Sequence, residues 1–496
     1  MFVNSLLFLY LFLPVTLFFV YISSSKLKNI FLLLASFIFY AWGGVSNVFV
    51  LVASTLVNWF IGLSLGKART ARLRKTWLVV GILMNILPLL LFKYTGFFRD
   101  NLNVLISLFG LSPLWIRTYA LPLGISFYSF KAITYLVSVH RRETPVQRNY
   151  ADLALYISFF PSLLAGPIDR YRNFLPQLHD RVPTVEQFAS GIRRFAIGLG
   201  KKVLIANSLA VVSDELFNGP VSNLSTPLAW LGVICYALQI YYDFSGYTDM
   251  AIGVGRMFGF ELMENFNFPY ISKSIKEFWQ RWHISLSTWL RDYLFLPLAY
   301  STSRKLKKER YFSIRVDQII YMIATSITFL VCGFWHGAAW NFIVWGLIHG
   351  FLLILEQLGL GRLLKKLYKP LRHLYALFFL LISWVFFRTV SLPDAFHYTG
   401  ILFGIGGKPV DWLMFLEYFN TGLILTIIFA ILGSTKIFSI VAGWFRKRTN
   451  DPLMALRIAS SNIYELISIF LVILILAASS LFMVAGTNNA FIYFKF

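Results

Sequence analysis

Charge is scarce in this chain, and negative charge scarcest. Of 496 residues only 22 are Asp or Glu, 14% carry any charge and 58% are hydrophobic, with a mean hydropathy of +0.68. A water-soluble fold of this length needs far more polar surface, so that class is excluded. Cysteine is nearly absent. Cys235 and Cys332 both lie in apolar runs, which excludes a disulfide framework and a thiolate zinc site. There is no internal repeat, no low-complexity tract and no separate soluble domain. The inverted repeats that mark many transporters are therefore missing.

What is present is a succession of apolar runs of membrane length. They predict helices near 3–22, 29–42, 46–65, 77–97, 149–165, 190–213, 225–242, 316–334, 338–358, 374–390, 419–441 and 463–484. Shorter apolar pieces at 120–138 and 245–260 read as re-entrant or partly buried. The opening MFVNSLLFLYLFLPVTLFFVYI has no small-residue cleavage site after it and reads as the first membrane helix. The 50 Phe and 14 Trp suit helices packed in lipid with aromatic ends at the interface.

The net charge of +23 comes from short basic loops between these runs, such as GKARTARLRK (66–75) and SRKLKKER (303–310). That is the pattern of cytoplasmic loops, and it argues against nucleic acid as a partner. Placing the basic loops in the cytoplasm puts both termini on the extracytoplasmic side. His336 then falls in an outer turn between two membrane helices.

Residues 271–299 differ in character. Ile275, Trp279, Trp282, Leu286, Trp289 and Tyr293 form an apolar stripe, opposite Lys276, Glu277, Gln280, Arg281 and Arg291. This predicts one amphipathic helix at the cytoplasmic interface, with His283 on its flank, about 80° from the centre of the stripe.

Of the seven histidines, His140, His179, His373 and His397 fall in or near loops and read as solvated. His349 reads as structural, about 20 Å along a helix from His336. His336 stands out because ionisable groups at membrane depth are expensive and tend to face a cavity. Trp335 and Trp340 could wall a pocket around it, and Asn341 could orient an imidazole or a carbonyl. The residues alone leave a general base and a helix-packing hydrogen bond equally open. Cys332, four residues earlier, raises a weaker Cys–His pair. Three further blocks carry polar or helix-breaking residues in apolar context: PLGISFYSF (122–130), FFPSLLAGPIDRY (159–171), and YYDFSGYTDMAIG (241–253) with Asp243 and Ser245. They read either as cavity linings or as ordinary helix breaks.

These blocks, with EFWQRWHISLSTWLRDYLFLPL (277–298) and FWHGAAWNFIVWG (334–346), occur in this order and closely resemble the membrane-bound O-acyltransferases, in particular their bacterial alginate O-acetyltransferase branch. The resemblance covers essentially the whole chain. It implies an all-α polytopic membrane protein: a ring of about eleven transmembrane helices with interfacial and re-entrant helices around a central tunnel. Residues 1–496 would form this one domain, with an aromatic tail at 489–496. The resemblance makes His336 catalytic and His283 a second functional position; Trp335, Asn341, Trp282, Trp279, Asp243 and Ser245 are the candidates for lining the substrate tunnel. It implies acetyl-CoA as donor, no metal, and residence in the bacterial inner membrane among lipid. An extracytoplasmic partner protein would pass the acetyl group to a surface polysaccharide. The tail FIYFKF resembles a motif of this branch and nominates Tyr493 as an acyl carrier. Peptidoglycan acetylation, D-alanyl transfer, a transporter and a non-catalytic export subunit are the rival readings.

Overall fold

The computed structural model describes residues 2–311, 313–448, 454–486 and Phe491. These are helical almost throughout; a two-residue strand pair, Arg310–Tyr311 with Ile314–Arg315, closes the turn in the basic loop. Among the described residues, seven helices are long and apolar enough to cross a membrane: Val45–Lys67, Ala71–Leu108, Val185–Asn218, Val316–His336, Trp340–Lys366, Lys369–Arg388 and Glu465–Val484. Phe8–Ile22, Leu27–Ala41 and Thr421–Gly433 are shorter apolar helices. The protein is a multi-pass, all-α membrane protein.

The chain divides into two compact units. One holds residues 1–198 and 247–264, the other 199–246 and 265–496. In the first, PLGISFYSF and FFPSLLAGPIDRY are packed and buried. Helix Ile125–His140 starts from Gly124, whose φ of 76° favours glycine and where a Cβ would press on the Leu163 carbonyl at 2.6 Å. Lys131 Nζ donates to Ser162 Oγ at 2.8 Å, and the Tyr156 hydroxyl donates to the Asp169 carbonyl at 2.8 Å. The Met263 N–H donates to the Asp169 carboxylate at 2.8 Å. The sequence predicted a membrane helix over 149–165. The helix stops at Ser158, and a buried turn held by these side chains follows.

The second unit carries both histidines singled out above. Its site is built from α1 (Thr226–Met257, whose last eleven residues belong to the first unit), α2 (Ile275–Arg281), α3 (Ile284–Leu290), α4 (Val316–His336), α5 (Trp340–Leu355) and α6 (Lys369–Arg388). Two runs predicted as separate, 225–242 and 245–260, are the single helix α1. The helices α4 and α5 form a hairpin with glycines at the contact. A Cβ on Gly333 would meet the Phe342 carbonyl, and one on Gly346 the Phe329 carbonyl. Absence of side chains is what lets the two backbones come this close.

Candidate active site

His336 ends α4, and the extended residues Gly337 and Ala339 start the turn into α5. The turn is tight because the Phe342 ring occupies the place a Cβ on Gly337 would need. The imidazole is 6% exposed and held by three aromatic rings meeting it at steep angles. Trp335 lies 4.7 Å away between centroids, Trp345 4.9 Å and Phe387 5.2 Å. Of the two tryptophans expected to wall the histidine, Trp335 does so, while Trp340 is 52% exposed. The other wall is Trp345, on the face of α5 below the turn. Asn341 is turned elsewhere: its amide donates to the carbonyls of Phe386 at 3.2 Å and Thr389 at 2.7 Å. It ties the hairpin to the C-terminal end of α6. Cys332 is fully buried one turn earlier on α4.

The stretch predicted as one amphipathic helix is broken. α2 ends at Arg281, α3 starts at Ile284, and His283 sits between them with φ 43° and ψ 53°. The left-handed conformation is uncommon for a residue with a side chain. Its cause lies in the segment upstream. Asn267 N–H donates to the Arg281 carbonyl at 3.0 Å and Ile284 N–H to the Asn265 carbonyl at 2.9 Å. These bonds replace helical ones and open the helix at the histidine. His283 is therefore in the break and 1% exposed, not on an exposed flank.

Asn265 also fixes the state of the imidazole. Its side-chain oxygen accepts from the Ser285 N–H at 3.1 Å and the Ser285 hydroxyl at 2.9 Å. A backbone N–H can only donate, so the atom it faces is the oxygen. The same oxygen lies 3.1 Å from His283 Nδ1. Nδ1 therefore carries the ring proton, and Nε2 keeps the lone pair. Burial pushes the His283 imidazole down to about 3, so it is neutral at physiological pH.

The N-terminus of α2 is anchored twice. Ser274 Oγ accepts from Glu277 N–H at 3.0 Å, while the Glu277 carboxylate accepts from Lys273 N–H at 3.0 Å. Glu356, just past α5, accepts from Ile275 N–H at 2.7 Å and Lys276 N–H at 3.0 Å. A cavity of about 350 Å³ opens between α2, α3 and α4, with Lys276 and Arg291 beside Trp279, Ser287, Thr325 and Thr328.

The structure brings most of the nominated residues into one aromatic cluster. Trp282, adjoining His283, lies 5.0 Å from Trp384, and Trp384 lies 5.5 Å from Phe387, which touches His336. Trp279 lies 6.0 Å from Trp345. On α1, Phe244 packs edge-on to His283 at 4.6 Å. Its neighbour Asp243 is buried in an ion pair with Lys202, and Ser245 is buried as well. Tyr493 lies outside the described residues. Phe491 is within them, buried and 5.7 Å from Phe244. Asn265, Trp345, Trp384 and Phe387 are the residues that sequence reasoning missed. Trp345 had a signal, since it falls in the same motif block as His336.

The family model described as MBOAT, membrane-bound O-acyltransferase family, matches residues 60–392, which includes both histidines. The chain belongs to that family. Its reaction class is acyl transfer, and acyl-CoA is the family's general donor. Relatives along its length include a probable alginate O-acetylase AlgI of Azotobacter vinelandii, 38% identical over 99% of both chains. The corresponding Pseudomonas aeruginosa protein is 42% identical over 81% of this chain and 75% of its own. The peptidoglycan O-acetyltransferase of Helicobacter pylori is 32% identical over 99% of this chain and 97% of its own.

Proposed function

We propose that this membrane-bound O-acyltransferase moves acetyl groups from cytoplasmic acetyl-CoA across the inner membrane for O-acetylation of an alginate-like exopolysaccharide. The observation that carries the reading is the pairing of two buried histidines in one aromatic cluster of a chain similar to alginate O-acetylases over its full length. His283, neutral with a lone pair on Nε2, serves the donor end. The cavity beside it, flanked by Lys276 and Arg291, suits the phosphate-bearing arm of coenzyme A. His336 serves the acceptor end: its imidazole takes the proton from the attacking hydroxyl as that oxygen bonds to the acyl carbon. General-base assistance of this kind is worth about 10²–10⁴-fold. A ring of about eleven helices around a central tunnel would connect the two ends. Both termini would be extracytoplasmic, and a separate partner protein would complete transfer to the polymer.

Tyr493 is the proposed carrier. Attack of its phenol oxygen on the acetyl thioester forms an aryl ester as the C–S bond breaks; the phenolic proton passes to His336 and from there to the departing thiolate, which leaves as the coenzyme A thiol. Phenoxide, with a parent pKa of about 10, is a better leaving group than an alkoxide, so the ester is a competent onward donor. Phe491, two positions before Tyr493, is buried against Phe244. Tyr493→Phe should stop polymer acetylation in folded protein; transfer at the wild-type rate would reduce the tail to an anchor.

The test of the whole reading is radiolabelled acetyl-CoA given to inside-out vesicles. Wild-type protein should release free coenzyme A, and His336→Ala should not. A transporter or a non-catalytic subunit would release none in either case. The similarity to a peptidoglycan O-acetyltransferase keeps peptidoglycan as the second acceptor. Acetyl analysis of each envelope polymer in a deletion strain separates the two.

A further inference from the structure

His349 lies outside the chemistry described so far, yet it has a defined bonding pattern within the aromatic cluster. It is fully buried on α5. The indole N–H of Trp279 donates to His349 Nδ1 at 3.2 Å. An indole nitrogen can only donate, so Nδ1 is the lone-pair nitrogen and the proton of the neutral ring is on Nε2. His349 Nε2 lies 3.1 Å from Ser383 Oγ, to which it donates, and the Ser383 hydroxyl donates onward to the Leu380 carbonyl at 2.7 Å. Each donor in this chain has one acceptor, so the ring has one tautomer and one orientation. It joins the interfacial helix α2 to α5 and α6.

Trp345 stands one helical turn before His349 on the same face of α5. Its ring meets His349 at 5.0 Å and 66°, and meets His336 at 4.9 Å and 85°. The indole is 1% exposed and in contact with both imidazoles. Trp384 stacks on it at 6.2 Å and 22°. The indole is thus the one ring in contact with both imidazoles among the described ring pairs.

We propose that His349 is a positioning residue for His336, acting through Trp345. It sets the plane of the indole, and the indole edge sets the plane of the His336 imidazole. Trp279, at the other end, also lines the 350 Å³ cavity, so a ligand filling that cavity presses on the same chain of rings. The proposal rests on the reading of His336 as the base. His336→Ala, run in the same assay, tests that reading by itself.

The experiment measures coenzyme A release by the full-length protein in proteoliposomes, normalised to folded protein. His349→Phe keeps an aromatic ring but removes both hydrogen bonds. It should lower kcat by about 10- to 100-fold, the scale of a misplacement of about 1 Å, while KM for acetyl-CoA stays within about twofold. It should also move the acid limb of the pH profile, which reports the base. His349→Gln supplies an acceptor for Trp279 and a donor for Ser383, and should restore kcat to within about threefold of wild type. Wild-type kcat in His349→Phe would overturn the proposal. So would a loss in His349→Phe that His349→Gln shares in full, or one accounted for by a rise in KM.

Discussion

The two buried histidines of the candidate site are held in different ways. His283 is held by hydrogen bonding: a backbone break places it, an amide oxygen takes one of its nitrogens, and burial keeps it neutral. His336 is packed by three aromatic rings at steep angles to it, on a hairpin whose turn admits no Cβ at Gly337. The first arrangement fixes which nitrogen carries the proton. The second fixes the plane of the ring. A residue that must present a lone pair in one protonation state needs the former.

The largest effect should come from removing the imidazole whose proton moves. His336→Ala should lower polymer acetylation by at least about 10²-fold with normal membrane insertion. Wild-type acetylation in a stably expressed variant would end the comparison. Asn265→Leu tests the hydrogen-bonded pocket. It deprives Ser285 N–H and His283 of their acceptor, and each buried donor left unsatisfied costs about 1–3 kcal/mol. Detergent-solubilised protein should melt earlier, and acetyl-CoA-dependent labelling should fall; an unchanged melt would mean the oxygen does not hold the break. Gly346→Ala tests the shape-held pocket. Its methyl would meet the Phe329 carbonyl, an overpacking that costs about 1–3 kcal/mol, and kcat should fall with little change in KM.

The smallest effect is in pH. The His283 imidazole titrates near 6.5 when unfolded and at about 3 when folded. Between those values the unfolded chain binds the extra proton, so acid favours unfolding. The stabilisation is complete above about pH 6.5 and is lost as pH falls, by up to about 1.4 kcal/mol per pH unit. Thermal melts from pH 4.5 to 7.5 should show this slope, and His283→Asn should make it shallower by one proton. An unchanged slope in His283→Asn would mean that this imidazole is not the group that titrates.

The apolar runs made the membrane class and most of the long helices legible in the sequence, because lipid forces every spanning backbone to satisfy itself as helix. The break at His283 was not legible. The stripe from Ile275 to Tyr293 keeps helical spacing straight through it, and the bonds that open it come from Asn265 and Asn267, outside that stripe. The motif blocks nominated His336 and Trp335 correctly as neighbours. They could not show that Asn341 turns to the end of α6, because its partners are backbone carbonyls 45 and 48 residues away. The separation of about 20 Å between His336 and His349 counted helical rise through a turn that was itself predicted. Folding back at Gly337 brings Trp345 into contact with both imidazoles, which lie thirteen positions apart in the sequence.

The glycine seam between α4 and α5 bears on how cargo can pass through such a protein. Sliding helices past one another requires a layer of side chains that can change rotamer and repack. Where Gly333 and Gly346 meet, backbone lies against backbone and that layer is absent. The hairpin holding His336 is thus unsuited to rocking or ratcheting. In the proposed transfer it would be a fixed station, with the acyl group handed past it from one bond to the next while the scaffold stays still.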